Sequence, residues 1–314
     1  MKRFARITGT GSYLPPKIIT NFELEKKLDT SDEWITGRTG IKERRVVDGE
    51  STCDLALEAS KKALEMAKIS ASEIDLIILA TTTPDKIFPA TATLLQKRIG
   101  ANCPAFDLQA VCAGFVFALS TAQQYIENGV YNNVLVVGSE TMSRIVDWSD
   151  RSTAVLFGDG AGAVVLSQDN KTGIKFSKIH SDGSYLSALQ VNNNYINEAG
   201  YIEMTGNAVY KIAVNQLSNL AEEILKECNL KSDEISWMIP HQANIRIITA
   251  IAKRINLPMD KVVFTIETHG NTSSASIPLA LDVAVRDGRI QKGDKLLLEG
   301  IGAGFSWGGL LVEY

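Results

Sequence analysis

Sulfur is sparse in this chain, and the arrangements of it that build zinc sites or disulfide frameworks are missing. Four cysteines, Cys53, Cys103, Cys112 and Cys228, are scattered over 314 residues with no CxxC pair and no zinc-ligand spacing. Few, isolated thiols in a long chain point to a reducing, cytoplasmic setting. Imidazoles are scarcer still, His180, His241 and His269 being the three histidines. No apolar run approaches the roughly 20 residues of a membrane-spanning helix. The basic opening MKRFARITGTGSYLPP lacks the apolar stretch of a secretory leader, so neither a leader nor a membrane span is expected. Positive charge is not in excess, with 32 Lys and Arg against 36 Asp and Glu. The net charge of −4 argues against a nucleic-acid partner and makes any local basic patch stand out. Hydrophobic residues make up 45% of the chain, enough for a sizeable core in one large or two medium domains.

The chain is organised around FDLQAVCAGFVFALSTAQQYIENG, residues 106–129. An apolar strand end at Pro104-Ala105-Phe106 leads to Cys112, after which Phe115, Leu119, Ala122 and Ile126 recur at helical spacing. Cys112 therefore belongs at a loop-to-helix junction, with Ala113 and Gly114 leaving room beside it. Free N–H groups and the positive end of the helix dipole are expected to favour a thiolate there. A free cysteine is also commonly plain core, and the local sequence leaves both readings open.

Before this stretch the pattern gives a helix from about Asn21 to Leu28, then a polar loop, Thr30 to Arg38, holding Trp34. Trp34 is either core filler or a stacking platform for a flat ring, with Arg38 beside it. Residues 51–68 form an amphipathic helix, IDLIILATTT a buried strand, and residues 90–99 a further helix. NNVLVVGSE and GDGAGAVVLSQD read as two more strands, so strands and helices alternate in α/β layers around a mixed sheet.

The pattern repeats. ISASEIDLIILATTT (69–83) resembles LKSDEISWMIPHQAN (230–244); NNVLVVGSE then matches DKLLLEGIG, and GAGAVVLSQD matches SWGGLLVEY, in the same order. The offset sets Cys112 opposite Ser274 in THGNTSSASIPLALDVAV, itself a polar junction opening an amphipathic helix. Two similar halves, 1–170 and 171–314, are expected, with their strand-end loops meeting at the interface where ligands favour binding. Three polar tips then converge: the Cys112 junction, His241 at the end of the strand SWMIP, and the loop ETHGNTSS with Asn271. Alone, His241 reads more often as a hydrogen-bonded structural residue than as a working one, and Asn271 as a turn or cap. His269 is the weaker histidine and His180 is read as structural. GIGAGFSWGG has no following lysine and so is no phosphate loop; its glycines suit either a bend or a backbone N–H aimed at a carbonyl oxygen. QANIRIITAIAKRI reads as a helix with Arg246 and Lys253 on one face and Arg254 beside them, near Lys211. That basic face is either merely solvated or a dock for an acidic partner.

CPAFDLQAVCAGF, PHQANIR, ETHGNTSSASIPLAL, GIGAGFSWGG and DTSDEWITGRTGI together resemble the β-ketoacyl-[acyl-carrier-protein] synthase III family, condensing enzymes that start bacterial type II fatty-acid synthesis. The resemblance implies a thiolase-like α/β fold of two duplicated halves in five layers, α-β-α-β-α, acting as a homodimer without cofactor or metal. By it, Cys112 matches the acyl-accepting nucleophile, and His241 and Asn271 match the pair that drives decarboxylation. Ala303, where the family often has glycine, matches the second N–H of an oxyanion hole with Cys112. Trp34 and Arg151 match the pair enclosing the coenzyme A adenine, and Thr30, Arg38, Gly206 and Asn244 positions along its arm. Gln242, Ala243, Asn244, Ile245 and Arg246, with Lys211, Lys253 and Arg254, become the dock for acyl carrier protein. Phe88 resembles the residue that reaches across the dimer into the partner's acyl pocket.

The resemblance also ranks the rivals. Thiolases carry a second cysteine in the last glycine-rich segment, and GIGAGFSWGG has none. Hydroxymethylglutaryl-coenzyme A synthases use a glutamate base, and elongating synthases use two histidines. Papain-like proteases share the Cys-His-Asn set but bear local signatures absent here. A relative in specialised metabolism would carry the same triad, and a non-catalytic binding protein of this fold is the remaining alternative.

Overall fold

A computed structural model of the chain describes residues 2–192 and 200–314. The first sheet contains β1 (Phe4–Tyr13), β2 (Leu76–Ala80), β3 (Ala105–Leu108), β4 (Asn133–Thr141) and β5 (Asp159–Asp169). Its spatial order is β1-β5-β4-β2-β3, with β5 antiparallel to both β1 and β4 and with β4, β2 and β3 parallel. The second sheet contains β6 (Gly173–Ser181), β7 (Trp237–Pro240), β8 (Lys295–Gly302) and β9 (Ser306–Glu313). Read from β6, its order is β6-β9-β8-β7, with the same senses, and a parallel bridge from Met238 to Val262 stands where β3 stands in the first sheet.

Among the described residues the longer helices that dress the sheets are α1 (Asp32–Thr39), α2 (Thr52–Ala67), α3 (Thr91–Ile99), α4 (Gly114–Glu127), α5 (Gly206–Glu227), α6 (Ile245–Arg254) and α7 (Ser276–Arg286). Alternation along the strands explains the layering. In β2, Leu76 and Ile78 face inward to a core shared with Phe115 and Leu119 of α4 and Ile277 and Leu281 of α7. Ile77 and Leu79 face outward to Leu55, Ala59 and Ala63 of α2. In the second sheet Leu296 and Leu298 join the central core, while Leu297 meets Leu217, Leu220 and Ile224 of α5. Both α4 and α7 touch strands of both sheets, α2 covers the first sheet from outside and α5 the second, so the five layers are present.

Two expectations are corrected. The stretch 30–38 is no loop: Ser31 caps α1 by accepting the Trp34 N–H, with Asp32 and Glu33 in the first turn, a polar helix whose weak apolar periodicity hid it. The helix opening at Asn21 stops at Leu24, short of Leu28.

The central layer is tight. A Cβ added at Gly138 of β4 would lie 2.4 Å from the Ser274 carbonyl oxygen, and one at Gly302 of β8 would lie 2.7 Å from both the Cys112 nitrogen and the Ala110 oxygen. Each contact is backbone to backbone and cannot be relieved by a side-chain rotation. Gly138→Ala is expected to cost about 3 kcal/mol, read as a lower urea midpoint at unchanged slope; a variant within about 0.5 kcal/mol of the parent would contradict this close approach.

Candidate active site

The site is built at a sharp corner. β3 ends at Leu108, Val111 takes a left-handed φ of +49°, a short 3₁₀ turn spans Val111–Ala113, and α4 starts at Gly114. A β-branched residue at positive φ is strained by roughly 1–3 kcal/mol. That corner presents Cys112 on the helix start, 5% exposed. The same corner recurs in the second half: Ser273 has φ +50°, a 3₁₀ turn spans Ser273–Ala275, and α7 starts at Ser276.

Burial pushes the Cys112 thiol up to about 12, a Ser273 hydroxyl contact draws it down, and nearby Glu140 adds to the rise. The expectation of a resting thiolate is therefore corrected. The helix end is present, but loss of water outweighs it and the resting group is the thiol.

His241 follows β7 and is 4% exposed, its backbone N–H donating to the Glu299 carbonyl at 2.8 Å. Its Nδ1 lies 2.6 Å from the Ser276 hydroxyl. Burial lowers the imidazole to about 3, so it is neutral at any working pH. Asn271 is pinned by its own backbone, which donates to Leu156 O and accepts from Gly158 N. Its side-chain oxygen accepts the Ser273 N–H at 2.9 Å, which leaves the amide nitrogen to donate.

Cys112, His241 and Asn271 line one cavity of about 130 Å³, together with Phe157, Leu189, Phe305, Gly206 and Asn244. A second cavity of about 460 Å³ also borders Cys112, lined by Val111, Ala303, Met142, Ile145 and Ile202. Cys112, Phe157 and Leu189 border both. Among the described residues the Ala303 N–H donates to no group in the fold. A buried thiol with a neutral imidazole, a carboxamide and a free backbone N–H offers a nucleophile and three uncharged donors, the set needed to hold oxygen anions.

The remaining predicted residues fall into three groups. Trp34 is half-buried, with the Arg151 guanidinium 4.7 Å and the Arg38 guanidinium 5.4 Å from its ring centre, and Thr30 holds a buried hydroxyl without a partner. Stacking a flat ring between Trp34 and Arg151 needs roughly 7 Å, two van der Waals contacts, so Arg151 must swing away from its bond to Asp29 O. On the basic face Arg246, Lys211, Lys253 and Arg254 are exposed; Arg246 stacks on Tyr210 at 5.4 Å, and Arg254 binds Glu222 and Asn219. Ala243, Asn244 and Ile245 are partly buried beside Arg246, Asn244 capping α6. Gln242 does not belong to that face. It is fully buried, bonded to Pro240 O, Val263 O and Thr265 N, and no docking protein touches it; its role is to brace the loop behind His241. Phe88 lies outside both cavities and is 83% exposed, next to the exposed Ile87.

Sequence reasoning missed Ser273 and Ser276, which orient Asn271 and His241, and two buried carboxyls. Burial raises Glu299 to about 8, and both its oxygens lack partners. Glu140 is raised too, despite bonds from Thr81, Thr82, Thr83 and Ser274. A glutamate inside each of the apolar runs VVGSE and LLLEGIG was the available signal. Of the other histidines, His180 stacks on Trp307 and meets Glu223, and His269 is buried behind Asn271. Among the described residues no cluster of His, Cys, Asp and Glu gathers to hold a metal, and no helix is long and apolar enough to cross a membrane.

Two family models match, those of the 3-oxoacyl-[acyl-carrier-protein] synthase III C terminal region, over residues 225–314, and of 3-oxoacyl-[acyl-carrier-protein] synthase III, over residues 106–183. The chain is 69% identical, over the full length of both proteins, to the β-ketoacyl-[acyl-carrier-protein] synthase III of Vesicomyosocius okutanii. It is 54% identical to that of Neisseria gonorrhoeae, over 99% of this chain and all of the relative. The crystal structure of 3-oxoacyl-[acyl-carrier-protein] synthase III from Aquifex aeolicus superposes with a TM-score of 0.96 at 47% identity, over 99% of this chain and 100% of that one. The priming β-ketosynthase of the R1128 polyketide pathway superposes at 0.95 with 37% identity, over 99% of this chain and 97% of that one. The chain belongs to the β-ketoacyl-[acyl-carrier-protein] synthase III family and has its thiolase-like fold.

The neutral imidazoles carry a pH signature. His241 at about 3 and His269 at about 4 both titrate below the ordinary 6.5. Their contribution to stability is complete above pH 6.5 and is lost as pH falls, about 2 kcal/mol each between pH 6.5 and 5. Glu299, raised to about 8, works in the opposite sense across that range. The difference between two proteins isolates His241: unfolding free energies at pH 6.5 and 5 should show His241→Gln losing about 2 kcal/mol less than the parent. Equal losses would contradict a buried neutral imidazole.

Proposed function

We propose that this family member catalyses the first condensation of type II fatty-acid synthesis, joining an acyl group from acyl-coenzyme A, acetyl in the simplest case, to malonyl-acyl carrier protein. The observation that carries the reading is the single cavity shared by Cys112, His241 and Asn271, with the amide nitrogen of Asn271 left free. In the first half-reaction the Cys112 sulfur attacks the thioester carbonyl. Coenzyme A leaves as its thiol and takes the cysteine proton with it, which suits a nucleophile whose resting form is protonated. The larger cavity receives the acyl chain, and the smaller one the pantetheine arm, with Gly206 and Asn244 along it.

In the second half-reaction the malonyl C–C bond breaks, carbon dioxide departs, and the enolate oxygen is held by His241 Nε2–H and the Asn271 amide. The enolate carbon attacks the acyl carbonyl, whose oxyanion rests on the Cys112 and Ala303 N–H groups, and the Cys112 sulfur leaves and takes up a proton. Uncharged donors serve both oxygens, each worth about 3 kcal/mol.

The same reading assigns the periphery. Trp34 and Arg151 enclose the adenine once Arg151 has moved, with Arg38 and Thr30 beside them. Arg246, Lys211, Lys253 and Arg254 meet the acidic carrier protein, with Ala243, Asn244 and Ile245 at the edge of the patch. The exposed Ile87-Phe88 pair is an apolar surface that a second copy of the chain covers. The chain divides into halves 1–170 and 171–314, and works in the cytoplasm without a cofactor. The identical order and senses of the two sheets, meeting between Asp169 and Gly173, support that division. The R1128 likeness supports a second reading, a priming ketosynthase of specialised metabolism, and a panel of acyl-coenzyme A primers separates the two.

Cys112→Ser is expected to abolish acyl transfer, while His241→Ala and Asn271→Ala still form acyl-enzyme but condense about 10²–10³-fold more slowly. Radiolabelled acetyl retained by Cys112→Ser at the parent rate would overturn the assignment. Arg246→Glu should raise KM for malonyl-carrier protein about ten-fold and leave that for acetyl-coenzyme A within two-fold; equal losses would remove the dock from this face.

A further inference from the structure

We infer that Ser276 sets the tautomer of His241, holding the ring proton on Nε2, the nitrogen left to the cavity; the inference deepens, and rests on, the condensing role proposed above. The case is one of hydrogen-bond counting. A serine hydroxyl has one proton to give and two lone pairs to receive. Among the described residues the Ser276 oxygen has two partners, the backbone N–H of Gln242 at 3.3 Å and His241 Nδ1 at 2.6 Å. The Gln242 N–H is a donor and nothing else, so the Ser276 proton has one acceptor within reach, His241 Nδ1. An unprotonated Nδ1 in a neutral ring means a proton on Nε2. Were Nδ1 to carry the proton, the buried hydroxyl would face two donors and leave its own proton unmatched, a loss of the kind buried polar groups avoid.

The surroundings hold this arrangement rigid. Ser276 is 1% exposed and opens α7, so its backbone is fixed by the helix. Gln242 is locked through both ends of its amide, to Pro240 O, Val263 O and Thr265 N. The other half supplies a contrast. At the corresponding helix start stands Gly114, and beside it, at the strand end corresponding to His241, stands Ala80, whose Cβ lies 3.1 Å from where a Gly114 Cβ would be. The serine is present in the half that carries the imidazole and absent from the half that does not. Ser276 is thus a positioning residue: it touches no substrate and acts through the ring it orients.

The test is nitrogen NMR of the resting full-length protein carrying ¹⁵N-labelled histidine, with His241→Gln used to assign the signals. The parent is expected to show a protonated Nε2 and an unprotonated Nδ1. In Ser276→Ala the two resonances should move toward each other as the tautomers mix. Condensation should fall about 10- to 100-fold with the parent's circular dichroism retained, and Ser276→Thr should restore both rate and spectrum. A parent ring protonated on Nδ1, or a Ser276→Ala protein with unchanged resonances, would overturn the inference. If Ser276→Ala does not fold, the parent and Ser276→Thr spectra still decide, Nδ1 protonation in either counting against it. Because the spectrum is read without substrate, a parent that fails to condense malonyl-carrier protein would sink the proposed function and leave the tautomer to its own result.

Discussion

Everything at the site depends on how closely two backbones approach across the middle layer. The end of β8 presses Gly302 against the amide of Cys112, and β4 presses Gly138 against the carbonyl of Ser274. Each sheet thus fixes the first turn of the helix that follows the other half's corner. Only with those turns held do the left-handed residues Val111 and Ser273 keep conformations they would not choose alone. The Ser273 N–H then takes the Asn271 oxygen, and the Ser276 oxygen meets His241. Three side chains from remote parts of the sequence share a cavity because two sheet ends pack without intervening side chains.

That packing also explains the electrostatics. Cys112, His241, Glu140 and Glu299 are all buried, and burial moves each toward its uncharged form. Donors in so dry a site interact most strongly with charge that develops during reaction. In the proposed chemistry the malonyl carboxylate is the charge that enters, and it leaves as neutral carbon dioxide. The charge it hands on reaches oxygens that already face N–H donors, so little needs to reorganise.

The layers were legible because strand and helix periods are strong in this chain. Leu76 to Ala80 and Asn133 to Thr141 are buried on both faces and read as apolar runs, and the spacing from Phe115 to Ile126 returns as α4. Cys112, His241 and Asn271 were legible as polar tips at the ends of such elements. α1 was not, since a short polar helix is held by its cap and its neighbours rather than by an apolar stripe. The thiol's protonation was misjudged for a related reason. A helix start is visible in sequence, while the burial that outweighs it is a property of the closed layer. Gln242 was misplaced because neighbours on a loop can point opposite ways. Arg246 faces water while Gln242, four residues earlier, is sealed inside.

The two corners share geometry but not surroundings, and different groups fill the space beyond each. Cys112 borders two cavities. At Ser274 the space is taken up by Glu140: Ser274 Oγ lies 2.8 Å from one carboxyl oxygen and 3.0 Å from Ala80 O. The other carboxyl oxygen is enclosed by the hydroxyls of Thr81, Thr82 and Thr83 and the Thr82 N–H. A single serine proton cannot serve both Ala80 O and Glu140. Ser274 therefore serves one of them at a time, while four donors converge on the other carboxyl oxygen and burial still raises Glu140. Such a plug stabilises the corner while giving a substrate no entry. In the second sheet the position corresponding to Glu140 is Gly302, whose missing side chain leaves the Cys112 amide uncovered. A carboxyl at one corner and a hydrogen at the other therefore set the surroundings of Ser274 and Cys112 apart.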